Sequence, residues 1–190
     1  MNTQTMKGGP NASVQALVLD LDGTLLDSCK EVSERNLQAL MSAYRQGWKI
    51  IIATARPPRS VKELLPEDLL QAASFVYYNG AYVHCPHTGL TEHYAIPPEI
   101  SLKVLEFWEQ NGLDGTLCLE DRDAWYSLSA ESDPAFYHSH FVPLVVSMDE
   151  LKKLSATKLL LTNSRRTDLL EEAFREQLSL VVTDRASWSS

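Results

Sequence analysis

The sequence is poor in cysteine, in basic residues relative to acidic ones, and in long apolar runs. Cys29, Cys85 and Cys118 are the only cysteines in 190 residues. That odd and widely spaced set excludes a disulfide framework and leads to the expectation of a reduced, cytoplasmic protein. Lys and Arg number 17 against 25 Asp and Glu, a net charge of −8. No Lys/Arg cluster is there to neutralise a phosphate backbone, so nucleic acid is not an expected partner. A small phosphorylated ligand is not excluded, because one local site needs only a few positive groups. No apolar run reaches the roughly 18 residues of a membrane span, so no membrane association is expected. The polar start, MNTQTMKGGPNAS, lacks the apolar centre of a signal peptide and reads as a flexible extension over residues 1–13.

Hydrophobic residues make up 44% of the chain and charged residues 22%, enough to bury a core. The run VQALVL, residues 14–19, reads as a strand buried on both faces, as in a parallel sheet. A helix follows, with Ser33 at its N-cap, Leu37, Leu40, Met41 and Tyr44 at helical spacing, and Gly47 just past its end. WKIIIAT is a second apolar strand, ending in Ala53 and Thr54. Residues 14–54 thus form a βαβ unit with parallel strands. Pro57 and Pro58 open another helix carrying Val61, Leu64 and Leu65, and SFVYYNGA is a third strand, ending at Asn79 and Gly80. Ligands of open α/β sheets bind outside the carboxyl ends of the strands, where Asp20, Asp22, Thr54 and Asn79 all fall.

From residue 81 the pattern changes to hairpins mixed with helices. AYVHC and LTEHYAI pair around a turn; PPEISLKVLEFWEQNG is a helix; GTLCLED and AWYSLSA pair again. SMDELKKL, ATKLLLTN, RRTDLLEEAFREQL and SLVVTD follow as helix, strand, helix and strand. This composition predicts a separate α+β module with a boundary near Gly80–Tyr82.

The stretch DLDGT carries the chemistry. Side chains two positions apart on an extended backbone leave on the same side, so Asp20 and Asp22 form a carboxylate pair. Such a pair repels itself unless something positive offsets it. Mg²⁺, which takes oxygen ligands and keeps part of its water, is one such partner. A carboxylate can also attack phosphorus, and a second can carry the proton. Gly23 permits a sharp turn whose amides suit phosphate oxygens, Thr24 adds a hydroxyl, and Thr54 offers another from the neighbouring strand end.

These segments resemble the haloacid dehalogenase-like phosphatases. DLDGTLLDS looks like their first motif, and IIATARPP is similar to their second, a strand ending in Thr. YYNGAYV resembles the Asn-Gly-Ala junction of the Cof-type subfamily, whose large cap follows the second motif. The resemblance implies a Rossmann-like parallel α/β core, here residues 14–81, with an inserted α+β cap over residues 82–190. It implies Asp20 as nucleophile and Mg²⁺ ligand, and Asp22 as general acid/base whose main-chain carbonyl also ligates the metal. It further implies Thr54 as the phosphate-binding residue and Asn79 as lining the site. The implied reaction is Mg²⁺-dependent hydrolysis of a small phosphorylated metabolite, such as a sugar or cofactor phosphate, through an aspartyl-phosphate. Oligomeric state is not addressed by any of these residues.

The sequence departs from the family in two places. Thr54-Ala55-Arg56 stands where Thr-Gly-Arg is usual. The third-motif lysine and fourth-motif acid would follow the cap, whereas here SLVVTD reads as a cap strand and only RASWSS remains. Lys158 and Asp184 are the available substitutes, but Lys158 opens an apolar strand. The expectation is that the cap is incomplete, that an edge and an apolar flank of the core are uncovered, and that these residues alone have little phosphatase activity. The alternative function is an inactive homologue or phosphate-binding remnant.

The remaining features read as structural. His84, Cys85 and His87, with His138, His140 and Cys118, match no closed zinc spacing and read as surface or packing residues. Phe107, Trp108, Trp125, Tyr126, Phe136 and Tyr137 read mainly as core. Glu120, Asp121 and Asp123 read as a solvated turn.

Overall fold

The structure, a computed structural model, describes residues 15–129, 141–162 and 164–179. The first sheet has the order β1-β2-β3-β4-β5. Its strands are β1 Ala16–Asp20, β2 Lys49–Ala53, β3 Ala73–Tyr77, β4 Tyr82–Cys85 and β5 Leu90–His93. The first three are parallel, paired from Ala16↔Lys49 to Asp20↔Ala53 and from Ile50↔Ala73 to Ala53↔Val76. β4 and β5 pair antiparallel as the expected hairpin, but the hairpin extends the first sheet through β3, not the separate module in which the sequence reading placed it. Parallel strands need crossovers, and helices supply them: α1 Glu34–Arg45 between β1 and β2, then α2 Pro58–Leu64 and α3 Glu67–Ala72 before β3. Ser33 caps α1 by accepting from the Asn36 amide, and Gly47 follows its end at φ 91. Pro66 splits the second crossover into two short helices, since its ring cannot continue α2.

Leu21, Leu40, Ile50, Ile52, Val61, Leu69, Phe75 and Tyr77 fill the first core. β1 does not meet the expectation of burial on both faces. Among the described residues it lies at the edge of the sheet, and on one of its faces Val18 is 63% exposed. Beside it Leu17, Ala39, Ala43 and Trp48 line an open apolar hollow.

The second sheet has the order β8-β7-β6-β9, from β6 Thr116–Asp121, β7 Ala124–Ser127, β8 Leu144–Val145 and β9 Lys158–Thr162. β6 is antiparallel to both β7 and β9, and β8 lies parallel to β7. Helices α4 Pro98–Gln110, α5 Met148–Leu151 and α6 Thr167–Phe174 accompany it. Leu105, Leu117, Leu119 and Leu151 form one buried cluster, and Val104, Leu113, Leu170 and Phe174 another. A capping box at Ser147 and Glu150 starts α5. The segment SLVVTD, like Phe136, Tyr137, His138 and His140, falls at least in part outside the described residues.

Candidate functional site

β1 ends where its pattern forces it to. Leu21 is fully buried, while Asp20 and Asp22 on either side of it are exposed. The two carboxylates therefore leave the chain away from the core, as period-2 alternation requires. Gly23 then turns the chain at φ +74, a conformation costly for any residue with a Cβ. The amides of Thr24, Leu25 and Leu26 all donate to the Leu21 carbonyl, at 3.3, 3.1 and 2.9 Å, and buried Leu25 and Leu26 pin the turn to the core. Thr24 is exposed, and its amide is thus already engaged, if weakly, within the turn.

The parallel register brings the other strand ends alongside. Thr54, one residue past β2, is 4% exposed. Its amide donates to the Val76 carbonyl at 2.9 Å, its carbonyl accepts from the Asn79 amide at 3.0 Å, and its Oγ1 accepts from the Arg56 amide at 3.1 Å. The hydroxyl proton of Thr54 is left to donate. Tyr78 and Asn79 both take left-handed backbone, at φ 52 and 57, which turns the chain off β3 and leaves the Asn79 side chain exposed. Ala55, standing for the usual glycine, is not among the residues of positive φ, so its methyl group costs no left-handed strain.

Two cations that the sequence reading did not assign meet Asp22. Arg56, 8% exposed, makes a two-pronged contact: Nε to Oδ2 at 2.7 Å and Nη2 to Oδ1 at 2.8 Å. Lys30 Nζ donates to Oδ1 at 3.3 Å, its own backbone held at φ 61. The Arg56 hydrogen bonds hold the Asp22 carboxyl below the usual carboxylate range; burial opposes them, and the Arg56 charge and Lys30 add to them. Arg56 was legible as the last residue of Thr-Ala-Arg at the same strand end; Lys30, eight positions beyond Asp22, had no sequence signal.

Asp20 differs. Among the described residues nothing hydrogen-bonds or ion-pairs with its exposed carboxylate. Among those residues, no group of three or more His, Cys, Asp and Glu is placed to hold a metal ion. With the Asp22 carboxylate taken by Arg56 and Lys30, the Asp20 carboxylate is left as an open oxygen donor for one. Such a sparse hard-oxygen set fits Mg²⁺, which keeps several waters and shares a phosphate ligand, and does not fit a metal needing a closed protein cage.

Lys158 opens β9 in the second sheet, opposite Glu120 of β6, as its place at the head of an apolar strand led us to expect. Glu120 is not in a solvated turn but is 4% exposed, with its carboxylate on Arg59 at 2.8 Å and on the Tyr78 hydroxyl at 2.6 Å. The aromatic reading holds for Phe107, stacked edge-on with Phe174, and for Trp108 and Tyr126 in the core; Trp125 instead lies under the Arg59 guanidinium. His84, Cys85 and His87 make ordinary polar contacts with Thr91, Ser74 and the Ala72 carbonyl.

Known proteins resemble this chain. Residues 17–190 match the family of haloacid dehalogenase-like hydrolases. The phosphatase YwpJ of Bacillus subtilis is 32% identical over 96 residues, which cover 50% of this chain and 33% of that protein. The HMP-PP phosphatase of Cronobacter sakazakii is 26% identical over 139 residues, covering 72% of this chain and 49% of that protein. The crystal structure of TM0651 from Thermotoga maritima superposes with a TM-score of 0.78 at 25% identity, over 91% of this chain and 67% of that one. The chain thus spans about a third of YwpJ and half of the HMP-PP phosphatase. No described helix is long and apolar enough to cross a membrane. With its α/β architecture and DLDGT strand end, the chain belongs to the haloacid dehalogenase-like hydrolases of the Cof type.

Proposed function

We propose that the strand-end site takes the phosphate of a small phosphorylated metabolite, a sugar or cofactor phosphate monoester, and hydrolyses it through an aspartyl-phosphate. The observation that carries this reading is the convergence of Asp20, Asp22, Thr54 and Asn79 at the carboxyl ends of three adjacent parallel strands. In the first step a carboxylate oxygen of Asp20 attacks phosphorus, the phosphorus–oxygen bond to the alcohol breaks, and Asp22 gives its proton to the leaving oxygen. In the second, water attacks the acyl phosphate, Asp22 takes the water proton, and inorganic phosphate leaves with Asp20 regenerated. Thr54 donates its hydroxyl proton to a phosphate oxygen, with Gly23, Thr24 and Asn79 beside it. Mg²⁺, held by the Asp20 carboxylate and the Asp22 carbonyl, would offset the charge that gathers between nucleophile and phosphate. Arg56 stabilises the Asp22 carboxylate, the form left once the proton has passed to the leaving oxygen and the one that accepts the water proton. The second sheet and its helices, within residues 82–190, act as the cap that selects the leaving group.

One observation favours a second reading, a phosphate-binding homologue without turnover. Arg56 and Lys30 both occupy Asp22, and no described lysine joins Asp20. Hydrolysis of a generic aryl phosphate with Mg²⁺, measured for the chain and its Asp20→Asn variant, separates the two. Turnover abolished by Asp20→Asn supports the phosphatase. No turnover, with phosphate still bound and the binding lost in Thr54→Val, supports the second reading. Turnover that survives Asp20→Asn contradicts the site.

A further inference from the structure

The contacts between the two sheets converge on Glu120. This carboxylate belongs to β6, an inner strand of the second sheet, yet its hydrogen-bond partners come from the first: the Arg59 guanidinium on α2 and the Tyr78 hydroxyl just past β3. Tyr78 shares its one proton with the Arg122 carbonyl, 2.5 Å away in the β6–β7 turn. Tyr78 and Arg122 both hold left-handed backbone, at φ 52 and 53, so two strained residues on opposite sides of the junction brace each other. Around them the Arg59 amide donates to Asp123 Oδ1 at 2.7 Å, and Lys62 Nζ reaches Asp123 Oδ2 at 3.1 Å. The Thr157 hydroxyl oxygen accepts from the Arg122 amide and meets the His93 ring, both at 2.7 Å.

A second cation of the second sheet also faces Glu120. Lys158 is its direct cross-strand partner in β9. Burial, before anything else, pushes the Lys158 ammonium below its ordinary pKa; the Glu120 charge opposes this and the Arg59 charge adds to it. Glu120 therefore has two alternative sources of positive charge, one on each side of the junction.

We propose that Arg59, Tyr78 and Glu120 form a releasable latch that docks the β6–β7 turn onto the first sheet, with Lys158 as the cation that holds Glu120 when the latch opens. In the closed state Glu120 takes Arg59 and Tyr78, and half-buried Lys158 across the ladder makes no ion pair with it. In the open state Arg59 and Tyr78 return to water and Glu120 turns to Lys158. Lys158 thus stabilises the open state more than the closed one. The latch rests on the proposed phosphatase reading only in that its opening would admit substrate to the strand ends; its existence does not depend on turnover.

Amide hydrogen exchange on the full chain tests this without any activity. Glu120→Gln and Tyr78→Phe should each speed exchange at residues 121–123 and 78–81 by roughly tenfold or more, the loss of hydrogen bonds to a charged group. Amides of β2 and of the β6–β9 ladder should keep their rates. Lys158→Met should do the opposite, slowing exchange at 121–123 below the wild-type rate. The latch is refuted if the first two variants speed exchange everywhere in proportion, if they leave 121–123 unchanged, or if Lys158→Met speeds it. Should Glu120→Gln fail to fold, Tyr78→Phe and Lys158→Met retain the opposed signs on which the proposal depends. Turnover lost with the latch pattern intact would refute the phosphatase reading alone.

Discussion

The paired aspartates at the end of β1 and the single glutamate in β6 meet opposite environments. Asp20 and Asp22 are exposed, and of the two only Asp22 has protein partners. Glu120 is buried, and Arg59 and Tyr78 both reach it. An exposed carboxylate with free lone pairs is prepared for something that arrives; a buried one with its partners in place is prepared to hold something still. The sequence context of the two is superficially alike, since each lies in an acidic cluster at a strand end followed by a turn. What separates them is burial, and burial depends on which segment packs on top.

The contrast makes graded predictions. Glu120→Ala should have the largest effect on stability, about 3–5 kcal/mol, because it takes the carboxylate from the largely buried Arg59 guanidinium and leaves that charge unpaired; urea unfolding measures it, and a loss below about 1 kcal/mol would show that the pair contributes no more than a surface bridge. Arg56→Met comes next. Arg56 is nearly buried while Asp22 is not, so the pair should contribute about 1 kcal/mol or less. The same pair sets a pH dependence. Asp22 is held below its ordinary pKa of 3.8, so its contribution is complete above that value and disappears as pH falls through the depressed one. Acid unfolding followed by fluorescence should show this step in the wild type and not in Arg56→Met. Asp20→Asn should have the smallest effect, within about 0.5 kcal/mol of wild type, while removing any turnover. A large stability loss at Asp20 would erase the distinction between the two acidic sites.

Much of the first sheet was legible because its signals are local. The apolar runs, the Ser33 cap, Gly47 and the DLDGT turn each lie within a few residues of what they determine. Asn79 and Thr54 were legible as strand ends, and parallel pairing brings them beside Asp20. The misread features depend on distant partners. Glu120 meets Tyr78 and Arg59 from 42 and 61 positions upstream, a packing that no periodicity in DLDGT or LCLED encodes. β1 reads as a central strand by composition, yet among the described residues it lies at the edge of its sheet. β8 has only two residues, too short for any alternation to show. The Arg56–Asp22 contact spans 34 positions and depends on the parallel register of β1 and β2.

The central claim is that the ends of β1, β2 and β3 form one phosphate site. Its most direct measurement is the backbone amide NMR spectrum of the full chain titrated with inorganic phosphate in the presence of Mg²⁺. Saturable shifts are expected at Gly23, Thr24, Thr54, Arg56 and Asn79, lost in Thr54→Val and absent from the β6–β7 turn. Phosphate shifts confined to other residues, or unchanged in Thr54→Val, would contradict it.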